Sequence, residues 1–188
     1  CAMLDALIEK PLAAFERRWT YAMDYARQIW HTRRSDFVRF NIAAGMGQAR
    51  GDVPLAAWHL ARLAAVLHED CGPCVQLVTD MALAQGVPSA VLQAAIGQDG
   101  EALIRLDADA ALAWNFVRAW TQRQPNFDDL RESCQQRFGA RGFQTLVLAA
   151  MAVRLYPQVK LALGYAQSCQ RVVIGATSLA TEHHGEHR

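Results

Sequence analysis

The chain has 188 residues, just over half of them apolar, and a formal net charge of +1. That length suits one domain, or one domain with an extra helical layer, with enough apolar side chains for a sizeable core. Acidic and basic residues are interspersed, so no basic stripe points to nucleic acid and no polybasic patch to a membrane surface. The longest apolar run, Leu146 to Val153, is too short to cross a bilayer.

The chain starts at Cys1, as expected of a trimmed, processed or fragmentary sequence. A mature lipoprotein also starts with Cys, but Ala2-Met3-Leu4 runs into a helical pattern rather than a polar tether. Residues 3 to 33 read as helix, with Pro11 as the point where it restarts and Leu12, Phe15, Trp19, Met23 and Ala26 at helical spacing. Ser35 or Asp36 can cap the next helix, which weakens at Gly45 and Gly47. Pro54 opens a helix to about His68 that is apolar around most of its circumference, so it belongs at the centre of a domain.

That central helix delivers Cys71-Gly72-Pro73-Cys74. Asp70 reads as an N-cap, and Pro73 is tolerated in a first turn, so the dithiol opens the following helix. Unpaired N–H groups and the macrodipole favour a thiolate there, while Glu69 and Asp70 oppose it. Gly86 is a stop and Pro88 a new start. Gly97 to Gly100 is a loop, and a helix follows from about Asp107 to Arg123. Asn126 caps the next, which Gly139 ends. A last helical pattern runs from Phe143 to Val173, with Pro157 expected to kink or divide it. The tail from Gly175 reads as polar and frayed. No period-two alternation is found, so the expected fold is all-α, with about eight to ten helices.

Five cysteines at 1, 71, 74, 134 and 169 are too scattered for a disulfide framework, and only the 71/74 pair has chemical spacing. This pattern suggests a reducing, cytoplasmic compartment with one redox-active pair. Structural zinc wants four ligands, and no second Cys pair or spaced His pair supplies them, so neither a metal nor a cofactor is expected. Cys-Gly-Pro-Cys is also the thioredoxin motif, but there it follows a β-strand, and here it follows a helix.

The ordered set Trp58 to Ala65, then Cys71-Gly72-Pro73-Cys74, then Gly86-Val87-Pro88, resembles the carboxymuconolactone decarboxylase-like superfamily, which includes the alkyl hydroperoxidase D type enzymes. Ala110 to Phe116, Phe138 to Ala150 and Leu161-Ala162-Leu163-Gly164 extend the resemblance over roughly residues 50 to 165. It implies a compact alkyl hydroperoxidase D-like core over residues 51–174, an N-terminal helical extension or oligomerisation arm over 1–50 and a flexible tail over 175–188. It also implies a homo-oligomer and a peroxidase-type reaction through Cys71 and Cys74, with a small hydroperoxide or disulfide substrate and a thiol reductant.

The chain departs from that family at the proton relay. The family's Glu, His and His fall here on His59, Pro73 and Val78. His68 and Glu69 are the nearest substitutes, and His59 reads as a partly buried, satisfied histidine. Tyr156, Lys160 and Tyr165 could reach the site from the late helix, although packing is the simpler role for each. The alternative function is a non-catalytic helical module that keeps the dithiol without the relay. Decarboxylase or lactone chemistry is suggested only by the superfamily's name, and the dithiol counts against it.

Overall fold

The structure, a computed structural model, describes residues 2–166 and 171–180. Cys1, Cys169 and the tail histidines His183, His184 and His187 lie outside the described residues. The chain is mostly helical. Its order is α1 (Ala2–Trp19), α2 (Asp24–Thr32), α3 (Arg34–Gly45), α4 (Leu55–His68), α5 (Gly72–Ala84), α6 (Ser89–Ile96), α7 (Gly100–Leu106), α8 (Ala108–Gln122), α9 (Phe127–Ala162), β1 (Arg171–Ile174) and β2 (Thr177–Ala180). Among the described residues no helix is long and apolar enough to cross a membrane.

As its apolar circumference predicts, α4 is the axis of the core. Every residue from Ala56 to Val66 is buried, and α5, α8 and α9 surround it. Leu12 of α1, Tyr21 of the turn after it, and Tyr25 and Ala26 of α2 join the same buried cluster.

Local chemistry explains several element ends. Asp99 and Asp107 accept the N–H groups of Ala102 and Ala110, each at 2.9 Å, and so start α7 and α8. The sequence reading left 101–106 unassigned and missed α7. Gly86, with φ of 96°, ends α5 in a Schellman turn: its N–H and that of Val87 reach back to the carbonyls of Leu83 and Ala82. Gly139 takes φ 67° and ψ 172°, which splits α9 into two helices end to end at the expected place.

Ser35 and Asp36 lie inside α3, whose N-cap is Arg33, rather than capping it, and four larger expectations also need correction. The N-terminal pattern breaks at Thr20–Met23, not at Pro11, which sits inside α1. Glu16 holds the break: its carboxylate accepts the Met23 N–H at 2.8 Å and both arms of the Arg27 guanidinium at 2.6 and 2.7 Å. Secondly, Pro157 does not divide the helix, which keeps helical φ/ψ through it. Val153, Pro157 and Lys160 are buried at helical spacing, so one packed face carries α9 across the missing hydrogen bond.

Thirdly, α9 stops at Ala162 rather than continuing to Val173, because Gly164 (φ 80°) closes a second Schellman turn, with the Tyr165 N–H on the Lys160 carbonyl at 2.7 Å. Fourthly, the expected helix end and frayed tail contain an antiparallel hairpin in which Ile174 faces Thr177 across Gly175-Ala176. Val172 and Ile174 point inward, and the Gln76 amide of α5 both donates to and accepts from the backbone of Val173 at 2.9 Å. Lone hairpins are marginal in water, and this one is held by α5 and α6.

Candidate functional site around the dithiol

Cys71 and Cys74 form a disulfide, with Cα atoms 5.2 Å apart. Cys71 itself occupies the N-cap of α5, and its carbonyl accepts the N–H groups of Cys74 and Val75 at 2.9 and 3.0 Å. Asp70 is therefore not the cap. With α4 ending at His68 and α5 beginning at Gly72, the chain must reverse within three residues, and Asp70 makes that turn with φ of 47°. Pro73 falls in the first turn, where no intrahelical N–H is lost.

The two sulfurs face different surroundings. Both residues are buried, Cys71 at 1% and Cys74 at 3% exposure, so neither is reached from the outer surface. Cys74 lines a cavity of about 310 Å³, and Cys71 does not. One turn on, Val78 lines the same cavity, as its place on the face of Cys74 predicts. Other lining comes from elements distant in sequence: Tyr21 from the turn between α1 and α2, Tyr25 from α2, Arg62 from α4 and Tyr156 from α9.

The Tyr21 hydroxyl lies 3.5 Å from the Cys74 sulfur. A disulfide sulfur carries no proton, so Tyr21 is the donor. Burial raises the pKa of Tyr21, Tyr25 and Tyr156 above the ordinary phenol value, which keeps all three as neutral O–H groups at physiological pH. The Lys160 ammonium of α9 stands 4.3 Å from the centre of the Tyr21 ring and 5.8 Å from that of Tyr25. Lys160 is buried, and that burial lowers its pKa. Tyr165 and Lys160 border a neighbouring hollow beside Pro73. Two of the three late-helix candidates, Tyr156 and Lys160, thus meet the site or the tyrosine that touches it.

Neither local substitute for the relay lines the cavity. The Glu69 carboxylate is paired with Arg154 of α9, and Gln158 approaches it at 3.5 Å. His68 is half-buried at the end of α4. His59 is fully buried, contrary to the expectation of a satisfied histidine, because neither ring nitrogen has a hydrogen bond of normal geometry. Burial first, and then the nearby Arg62 guanidinium, lower its pKa to about 4 against a weaker opposing effect of Gln85. Cys134 is buried as expected, and burial pushes its thiol up to about 12, so it stays protonated.

The sequence reading missed Tyr21, Tyr25 and Arg62. Arg62 had a visible signal. From Leu55 to Leu67 the helix is apolar except for His59 and Arg62, and a lone arginine in such a helix needs a reason. Tyr21 had none, since its position depends on a turn made by Glu16 and Arg27.

Among the described residues no group of three or more His, Cys, Asp or Glu side chains is placed to hold a metal ion. Compared with protein-family models, with curated proteins and with solved structures, the chain matches none.

Proposed function

We propose that the chain is a thiol–disulfide redox protein that reduces a hydroperoxide through Cys74 and Cys71, on a fold of the alkyl hydroperoxidase D-like type. The observation that carries this reading is the asymmetry of the bridge: the Cys74 sulfur opens on the cavity beside the Tyr21 hydroxyl, with Cys71 directly behind it.

In the reduced protein the Cys74 thiolate attacks the terminal oxygen of the hydroperoxide. An S–O bond forms, the O–O bond breaks, and the alcohol leaves after taking a proton. Tyr21 is the O–H donor at the reacting sulfur and, in this reading, stands in for the relay histidine whose family position is Val78 here. Cys71 then attacks the Cys74 sulfenic acid, water leaves, and the bridge closes. An external dithiol reductant reopens it by exchange. The net reaction turns one hydroperoxide and two thiols into one alcohol, one water and one disulfide. The reading includes a reducing, cytoplasmic setting, suggested by the cysteine pattern, and assembly into a homo-oligomer, as the resemblance implies.

The second reading, a helical module without catalysis, is favoured by one observation: the three family relay positions are His59, Pro73 and Val78, and none brings an ionisable group to the cavity. One experiment separates the two. Reduced protein is challenged with hydroperoxide, and alkylation of each cysteine is followed against pH by mass spectrometry. The redox reading expects rapid closure of the Cys71–Cys74 bridge, and it expects Cys71→Ser to stop at a trappable sulfenic acid on Cys74. Peroxide turnover retained in both single serine variants, or no closure in the parent chain, ends it.

A further inference from the structure

Arg62 is buried to 7% exposure on the central helix and lines the cavity beside Cys74. Among the described residues it makes no hydrogen bond and no ion pair. The face of Trp58 lies 4.3 Å away and the neutral Tyr156 phenol is also near, which leaves the N–H edges of the guanidinium without an anionic partner among the described residues. Burial pulls its pKa down to about 10, so it remains a cation at pH 7. No carboxylate lines the cavity among the described residues. The polar groups nearest in character are three neutral phenols, which can donate to an acceptor-only head group.

Asn41 and Gln48 add two neutral amides, and the remaining wall is mostly apolar, with Phe15, Leu77, Val78, Met81 and Val153 supplying much of it. A desolvated cation in an apolar cavity favours an anion, and a planar guanidinium fork matches a carboxylate in two parallel hydrogen bonds. A doubly charged phosphate would bring one charge more than this wall neutralises. The volume of about 310 Å³ equals about ten waters at about 30 Å³ each, which suits a short organic acid of about ten non-hydrogen atoms.

We propose that the cavity binds a small monocarboxylic acid with an apolar body, its carboxylate held by Arg62 and its chain lying along α5 towards Cys74. As a binding site this stands without the redox reading. As the substrate class of the dithiol it rests on that reading: the preferred hydroperoxide is then one that carries a carboxylate.

The test uses the whole, oxidised chain at pH 7.5 and two probes of one shape, octanoate and 1-octanol, measured by titration calorimetry. Octanoate is expected to bind at least about tenfold more tightly, the equivalent of one charge-assisted contact at about 1.4 kcal/mol per decade. Arg62→Met is expected to abolish the preference and leave octanol affinity unchanged. Equal affinities for the two probes in the parent chain overturn the proposal whether or not the variant folds, and so does a preference that survives in Arg62→Met.

The redox arm is read separately, as the rate of bridge closure with a hydroperoxide of octanoic acid against a neutral alkyl hydroperoxide. An octanoate preference without bridge closure leaves the acid site standing and removes the redox reading. Closure at equal rates with both peroxides does the reverse for the substrate class.

Discussion

His59 and Arg62 sit three residues apart on one buried helix, and the same physical cost leaves them in opposite states. Burial lowers the pKa of His59 from 6.5 to about 4 and that of Arg62 from 12.5 to about 10. Because the two begin so far apart, His59 is neutral at pH 7 and Arg62 is charged. Packed core encloses His59, while Arg62 borders a cavity. A histidine can escape an apolar environment by losing its proton. An arginine cannot, so its charge has to be met by something in the space beside it.

The strongest way to break this comparison is to put the second residue in the first place. His59→Arg buries a charge away from the cavity that Arg62 borders, and the expected loss of stability is about 3–5 kcal/mol, read as a fall in the denaturant midpoint at unchanged m-value. A loss below about 1 kcal/mol would mean that the two surroundings do not differ.

Acid titration gives the next effect. His59 stays neutral in the folded chain, but the unfolded chain takes up a proton below pH 6.5, so the unfolded state binds more protons. Stability is therefore full above pH 6.5 and falls as pH drops towards 4, by up to about 1.4 kcal/mol per pH unit. His59→Leu should remove that part of the slope between pH 6.5 and 5, above the range in which most carboxylates titrate. An unchanged slope in the variant would place the titration elsewhere.

The smallest effect sharpens the comparison from the other side. Arg62→Met removes a buried cation at the loss of a ring contact with Trp58, so stability should stay level or rise by about 1 kcal/mol. A marked loss of stability would make Arg62 a structural residue and weaken its assignment to a ligand. Glu16 bears on the same cavity, since the turn it makes carries Tyr21. Its Arg27 partner holds its carboxyl at about 2, so that tie survives until pH falls well below the range of ordinary carboxylates.

Much of the fold was legible because its signals are local. The all-round apolar helix at 55–68, the dithiol opening the next helix, the stop at Gly86 and the break at Gly139 each depend on a few adjacent residues. The hairpin was legible in principle: Val172, Val173 and Ile174 are β-branched, and Gly175 stands at a two-residue turn. Four-residue strands carry little periodicity, so the preceding helical pattern absorbed them. Pro11 and Pro157 misled in the other direction, because tertiary packing outweighed an intrinsic helix breaker.

By itself the sequence determined the chemistry that two thiols three positions apart can perform, and the helix start that presents them. Backbone geometry and capping act over one turn, and a linear reading contains them. Only the tertiary structure decided which sulfur meets a cavity and what shares that cavity. Tyr21 reaches Cys74 across 53 positions because Glu16 and Arg27 turn the chain, and Tyr156 and Lys160 arrive on a helix that continues through a proline. Contacts of that separation depend on how whole faces pack, and no short stretch of sequence carries that information.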